Sequence, residues 1–134
     1  MIFDLYIGNT EVDSNKITER IIGAAIAIHR ELGPGLLEST YEACLAYELV
    51  GQGLRIEQQK VVPVRYRGVY LNCGYRIDLL VEGRVVVELK AVEELEPIYE
   101  AQLLTYLKLG GWKLGLLINF NVQVLKDGIR RRIL

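Results

Sequence analysis

Three ionisable side chains occupy stretches of the sequence that alternate like β-strands. Asp78 is enclosed by apolar residues in the run Ile77–Val81, and Glu88 and Lys90 end the run Val85–Lys90. Because successive side chains on a strand point to opposite faces, Glu88 and Lys90 share one face. Burying simpler polar groups unpaired costs ~2–7 kcal/mol, and charges cost more, so these charges must be neutralised.

Two interpretations account for these charges. The simpler one is a salt bridge from Lys90 to Asp78 or Glu88, or a solvated face, because Glu-x-Lys alone is a common pattern. The other is a divalent cation, since neighbouring carboxylates repel each other and hard oxygen ligands suit Mg²⁺ or Mn²⁺ rather than zinc. Such an ion can activate water and stabilise a phosphoryl oxyanion, with Lys90 as a further positive charge.

The pairing of the two strands decides whether the carboxylates can meet. A slip of one residue sends every side chain to the opposite face of a sheet. If Asp78 and Glu88 lie directly opposite each other, Val81 pairs with Val85 and three residues form the loop. A two-residue turn would point Glu88 away from Asp78. We therefore expect a three-residue loop or a bulge between these strands.

Hydrophobic periodicity predicts the elements that must hold these residues. Apolar residues at three- and four-residue steps predict helices over about residues 17–32, 36–50 and 97–110. Alternation predicts strands over residues 55–67, 74–81 and 84–90, with Pro63 at an edge or a bulge. Leu114–Ile118 is typical of a central strand covered on both faces, and residues 122–134 of a strand or hairpin. This order predicts an α/β fold, a mixed central sheet flanked by helices on both faces.

Two of the predicted helices carry polar residues on otherwise apolar stripes. Glu38 precedes Tyr41 by three residues and lies on the inward row of the second helix. On the third helix Tyr99, Gln102 and Tyr106 share one face. Taken alone, residues of this kind are more typical of a surface or capping role than of catalysis.

Length and composition limit the class of protein. With 134 residues, 51% hydrophobic and 25% charged, the chain is expected to form one domain over residues 1–134. No apolar run approaches the ~20 residues that span a bilayer, and Met1–Asp4 lacks the basic region of a signal peptide. We expect a cytoplasmic protein without a membrane partner. A mean hydropathy of +0.20 is compatible with a homo-oligomer and equally with a dense core.

The charge of the chain is nearly balanced. Sixteen basic and seventeen acidic residues give a net charge of −1, so contact with phosphates must use a local patch. The basic run Arg130–Arg132 is more typical of a solvated chain end, although arginine suits phosphate well. Cys44 and Cys73 lack metal-ligand spacing and are expected to be buried, and the single histidine, His29, excludes a His-rich metal site.

Five short motifs resemble those of known families. Residues 35–41, Gly-Leu-Leu-Glu-Ser-Thr-Tyr, match the G-x-x-E-x-x-Y signature of a bacterial protein family, which segments 29–35 and 116–120 also resemble. Asp78, Glu88-Leu89-Lys90 and the run from Gln102 to Tyr106 are similar to the D, E-x-K and Q-x-x-x-Y motifs of the PD-(D/E)XK nuclease superfamily. They look most like its RecB-type branch. Ile77 replaces the proline of the superfamily's name.

The resemblance implies a restriction-endonuclease-like core and a set of site residues. It implies Asp78 and Glu88 as metal ligands, Lys90 as the catalytic lysine, and Glu38 as a catalytic residue and further candidate ligand. It also implies that Tyr41, Gln102 and Tyr106 contact the substrate or support the site. The implied function is a Mg²⁺- or Mn²⁺-dependent nuclease acting on DNA in preference to RNA. The alternative is a catalytically silent nucleic-acid-binding or oligomeric scaffold protein on the same fold.

Overall fold

The first helix is longer than the sequence predicts. A computed structural model describes the backbone of residues 2–134 and the side chains of residues 14–134. The side chains of Met1–Asp4, on which the expectation of no signal peptide rests, are not among the described ones. Helix α1 (Ile2–Leu32) begins well before the expected start near residue 17. The hydroxyl of Thr18 donates to the carbonyl oxygen of Ser14 at 2.8 Å, one helical turn back.

The strands form one mixed sheet and a separate small hairpin. In chain order they are β1 (Ile56–Val61), β2 (Val64–Tyr66), β3 (Val69–Leu71), β4 (Arg76–Val81), β5 (Val85–Lys90), β6 (Leu114–Asn119) and β7 (Ile129–Ile133). The sheet has the order β1-β4-β5-β6-β7. Strands β5 and β6 run parallel, and the other neighbours run antiparallel. The parallel pair is joined through helix α3 (Pro97–Gly110), as a crossover connection requires.

Helices cover both faces of the sheet, as the sequence predicts. Helix α1 and helix α2 (Glu38–Gly51) pack on one face, in a cluster that includes Ile21, Leu45 and Val87. Helix α3 packs on the other face, where Leu103 meets Val86 and its neighbours. Every residue of β6 is buried, which confirms the expected central strand. The sheet is thus a restriction-endonuclease-like core between two apolar layers.

The register of the β4–β5 hairpin confirms the expected pairing. Val81 pairs with Val85, and three residues form the loop. Glu82 and Gly83 have φ angles of +53° and +65°, and the amide of Arg84 donates to the carbonyl oxygen of Val81 at 3.0 Å. Because both turn residues adopt the left-handed region, the loop closes tightly without shifting the strands by one residue.

The predicted strand over residues 55–67 is divided. Strand β1 ends at Val61 and lies at an edge of the sheet, and Pro63 follows it before β2 begins. Proline has no amide hydrogen for a ladder, which explains the break. Strands β2 and β3 then form a hairpin with Arg67 and Gly68 at the turn, both in the left-handed region. In the connection to β4, Cys73 is exposed, so the expectation that both cysteines are buried is wrong.

The C-terminal segment forms a single strand after a short turn. Of the expected strand or hairpin, the strand forms: a 3-10 turn over Leu125–Gly128 leads into β7. In the part of the chain with described side chains, no helix is long and apolar enough to cross a membrane.

Candidate active site

Asp78 and Glu88 meet where strands β4 and β5 separate. The regular pairing of the two strands ends at Leu79 and Val87, one step before these residues. The amide of Leu89 donates to Asp78 Oδ2 at 2.8 Å, and the amide of Asp78 donates to Glu88 Oε1 at 3.3 Å. Each carboxylate therefore accepts a backbone hydrogen bond from the opposite strand, and the two acidic groups are held side by side.

The electrostatics of this pair favour one bound proton. Burial of Glu88, which is 8% exposed, raises the pKa of its carboxyl group, and the negative charge of Asp78 raises it further, to about 8. A hydrogen bond between the two carboxyl groups acts in the same direction, whereas Lys90 and the amide of Asp78 oppose the shift. Without a cation, the pair thus holds a proton at neutral pH, as expected for buried carboxyl groups with like charge nearby.

Lys90 lies on the same face of β5 as Glu88, two residues further along the strand. Its Nζ lies 4.7 Å from the centroid of the Tyr99 ring, in a cation–π contact. Among the described side chains Lys90 forms no ion pair within 4 Å, so the salt bridge considered from the sequence is absent there. The ammonium group still acts on Glu88 through space, because it lowers the pKa of that carboxyl group.

Glu38 reaches the end of β5. It is the first residue of α2, and its Oε1 accepts a hydrogen bond from the amide of Ala91 at 3.2 Å. Glu38 is therefore anchored to the backbone directly after Lys90. The structure places it beside the lysine end of the site.

A link between α2 and Asp78 was not anticipated from the sequence. Gln59 on β1 donates through Nε2 to Glu42 Oε1 at 2.6 Å and to Asp78 Oδ1 at 3.1 Å. Gln59 has a φ of +50°, which is rare for a residue with a side chain. Glu42 follows Glu38 by four residues, so the helical spacing could have suggested it. No pattern in the sequence indicates the unusual backbone of Gln59.

Helix α3 contributes a tyrosine and a glutamine. Tyr106 is buried, and the pKa of its hydroxyl is raised by burial first and then by the charges of Glu88, Tyr75 and Asp78. A hydrogen bond from Gln102, which is exposed, acts in the opposite direction. Tyr106 thus lies near the carboxylates, and Gln102 extends from it towards solvent.

Tyr41 and Asn119 hold the loops around the site. Tyr41 is fully buried, stacks on Phe120 with ring centroids 4.3 Å apart, and donates its hydroxyl to the carbonyl oxygen of Gly33 at 2.7 Å. Its full burial favours the predicted support of the site over the predicted contact with substrate. Asn119 binds both backbone groups of Val92, at 2.9 and 3.1 Å, and so fixes the chain that follows Lys90.

The donor chemistry of the pair suits a hard divalent cation. Two carboxylates that repel each other offer the oxygen ligands that Mg²⁺ and Mn²⁺ prefer. Within residues 14–134, no group of three or more His, Cys, Asp or Glu side chains is arranged to hold a metal. Asp78 and Glu88 are thus the two carboxylates that the structure holds side by side, and a metal-binding role for Glu38 stays a prediction.

The run Arg130–Arg132, expected from the sequence to be a solvated chain end, has polar partners inside the chain. Arg132 Nη2 lies 2.6 Å from Glu100 Oε2, and Arg130 Nε lies 3.6 Å from Glu100 Oε1. Arg131 donates to Asn15 Oδ1 at 2.8 Å. Each of these arginines already has a polar partner within the chain.

Fold and site together define an α/β protein of the restriction-endonuclease kind, with an acidic pair and a lysine at a strand break. The chain belongs to the PD-(D/E)XK nuclease superfamily, whose family model matches residues 15–132. No curated protein and no solved structure gives a match to the chain. Membership suggests nuclease activity on a nucleic acid, and nucleases of this superfamily generally use divalent metals.

Proposed function

We propose that the protein is a metal-dependent nuclease that hydrolyses phosphodiester bonds of DNA, in preference to RNA. The observation that carries this proposal is the Asp78–Glu88 pair, held together by backbone hydrogen bonds with Lys90 on the same face. A buried Glu88 beside the half-buried Asp78 costs stability unless a cation or a proton compensates the pair, which is typical of a functional site.

Asp78 and Glu88 would hold Mg²⁺ or Mn²⁺. A bound ion of this kind supplies Lewis acidity and lowers the pKa of coordinated water. The ammonium group of Lys90 would stabilise negative charge that develops on a phosphate beside Glu88. Glu38 orients the end of β5 through its hydrogen bond to Ala91.

Gln102 and Tyr106 would contact the substrate or support the site from α3. The position of Gln102 supports this role, because it is exposed and hydrogen-bonded to a tyrosine near the carboxylates. We further propose that residues 1–134 form one cytoplasmic domain. The signature around Glu38 and Tyr41 supports a place in the G-x-x-E-x-x-Y family, within the RecB-like branch.

Cleavage of nucleic acids tests the proposal. The purified protein is incubated with single- and double-stranded DNA and RNA in Mg²⁺, Mn²⁺ or EDTA. We expect metal-dependent cleavage of DNA that Lys90→Ala removes, whereas the exposed control Lys126→Ala cleaves like wild type. Calorimetric titration of Mn²⁺ should show binding to Lys90→Ala and none to Asp78→Asn. Intact substrates under every condition would contradict the proposal and favour the silent scaffold.

A further inference from the structure

The chain between β1 and β4 carries positive charge without any acidic residue. We name residues 58–77 the basic hairpin segment, because they include the end of β1, the β2–β3 hairpin and the start of β4. The segment has no Asp or Glu, and its four basic residues are Lys60, Arg65, Arg67 and Arg76. Its charge of +4 stands against a net charge of −1 for the whole chain. The nearly neutral total therefore conceals a local basic patch.

The same segment exposes three tyrosines. Tyr66, Tyr70 and Tyr75 are 58%, 66% and 46% exposed. Arg65 lies over the ring of Tyr70 at 5.7 Å, and Arg67 lies over the ring of Tyr66 at 5.3 Å. Among the described side chains neither arginine forms an ion pair. Cationic groups and exposed rings are thus interleaved along one short ribbon.

The hairpin itself has no packed face. Arg65 pairs with Tyr70 and Tyr66 pairs with Val69, so Tyr66 and Tyr70 point to opposite faces of the ribbon. All three residues of β3 are exposed. An isolated two-stranded hairpin is only marginally stable in water, so a ligand that covers the rings would stabilise it.

The segment leads directly to the acidic pair. Tyr75 lies directly before β4, and Arg76 is the first residue of β4, two positions before Asp78. The ring of Tyr75 lies 6.1 Å from the ring of Tyr106, which is close enough to Glu88 to interact with its charge. A strand bound along the segment would therefore reach the proposed catalytic centre.

We propose that the basic hairpin segment binds single-stranded nucleic acid and delivers it to the Asp78–Glu88 pair. Because Tyr66 and Tyr70 lie on opposite faces of the ribbon, the strand wraps around the hairpin. Unpaired bases stack on these two rings and on Tyr75, and phosphates pair with Arg65 and Arg67. Stacking on tyrosine requires bases whose faces are free, which a duplex does not offer. The inference rests on the proposed nuclease function and names its substrate as a single strand.

A second copy of this chain fits the segment less well. A symmetric dimer through this surface would place four positive charges opposite four positive charges, which disfavours association. Lys60 is already paired with Glu57 at 2.9 Å, whereas Arg65 and Arg67 form no ion pair among the described side chains. A polyanion gains from these two arginines and releases counterions on binding.

Equilibrium binding in EDTA tests the inference without cleavage. The probe is a fluorescently labelled single-stranded DNA oligonucleotide, alone and annealed to its complement. Wild type should bind the single strand more tightly than the duplex. Tyr66→Ala and Tyr70→Ala should each weaken binding of the single strand about fivefold or more. The control Tyr47→Ala, which removes a tyrosine that is 80% exposed on α2, should bind like wild type.

Salt dependence tests the arginines in the same assay. The double variant Arg65→Gln/Arg67→Gln should reduce the slope of log affinity against log salt by about 1.4, because each lost contact to single-strand phosphate contributes ~0.7. The double variant Arg20→Gln/Arg30→Gln, on exposed positions of α1, should leave the slope unchanged. Circular dichroism melting confirms that each variant is folded.

The outcomes separate this inference from the proposed function. Metal-dependent cleavage with unchanged affinity and KM in the tyrosine variants would overturn the inference and leave the nuclease in place. If the tyrosine variants lose binding of the duplex but bind the single strand normally, the inference is overturned in favour of recognition of a duplex groove. If the tyrosine variants instead alter the oligomeric state, the surface is an interface between copies and the inference is wrong.

Discussion

The central residue of the site is Glu88, whose chemistry is set by its surroundings. It lies within a strand whose residues are almost all buried, and its closest ionisable neighbours are Asp78 and Lys90. Desolvation and the charge of Asp78 outweigh the attraction of the lysine, so the protonated form is favoured without a cation. In the proposed function a divalent ion takes the place of this proton, and either one compensates the same electrostatic cost.

The raised pKa of Glu88 makes the stability of the metal-free protein depend on pH. The folded pKa of about 8 lies above the ordinary value of 4.5, so the folded state keeps a proton that the unfolded chain loses between these values. Stabilisation is therefore complete below pH 4.5 and is lost as the pH rises to about 8. The free energy of unfolding should fall with rising pH, by at most ~1.4 kcal/mol per pH unit from this group. Urea unfolding in EDTA measures it.

Glu88→Gln is the matched control for that measurement. The amide resembles the protonated carboxyl group in shape and cannot ionise. This variant should lose less stability than wild type between pH 5 and pH 9. Parallel pH profiles for both proteins would show that Glu88 titrates normally in the folded state.

At the level of elements, the sequence predicts the two strands that carry Asp78 and Glu88. It predicts the elements around these strands only in part. The apolar alternation on both sides of Asp78 and Glu88, with a short polar loop between, is a local signal that determines the register. The β2–β3 hairpin was missed because its strands have three residues each and no buried face. The link from Gln59 to Glu42 was missed because it joins distant segments through an uncommon backbone conformation.

The left-handed backbone of Gln59, which the β1–β4 register passes over between Gln58 and Lys60, gives a prediction about β1. Gln59→Ala and Gln59→Gly both remove the hydrogen bonds to Glu42 and Asp78, so both should lower the cleavage rate to a similar extent. They differ in strain, because a φ of +50° costs a residue with Cβ ~1–2 kcal/mol more than glycine. Gln59→Gly should therefore melt at a higher temperature than Gln59→Ala. Gln58 lies in the same strand and has no positive φ, so Gln58→Ala should be more stable than Gln58→Gly.

At the scale of the whole molecule, negative and positive charges occupy separate places near the β1 edge of the sheet. The acidic pair lies between the two helical layers, and the basic hairpin segment lies beside it on the connection from β1 to β4. The balanced total charge did not indicate this separation, and attention to Arg130–Arg132 alone did not find it. The gap in acidic residues between Glu57 and Asp78 was the available signal. Self-association of the chain stays a prediction, for which size-exclusion chromatography is the test.

Metal binding should stabilise the whole fold through the Asp78–Glu88 pair. A cation that binds only the folded protein adds RT ln(1 + [L]/Kd), which is about 2.7 kcal/mol at a hundredfold excess over Kd. At that excess Mn²⁺ should therefore raise the melting temperature of wild type by about 10 °C for a domain of this size. Asp78→Asn retains an oxygen to accept the hydrogen bond from Leu89 but removes the charge. At pH 8 in EDTA this variant should melt at a higher temperature than wild type, and Mn²⁺ should no longer shift its melting temperature.

Glu94→Gln, in the exposed acidic loop after β5, is the control and should keep the full shift. Equal shifts in wild type and Asp78→Asn would place the ion elsewhere and remove the physical basis of the proposed nuclease.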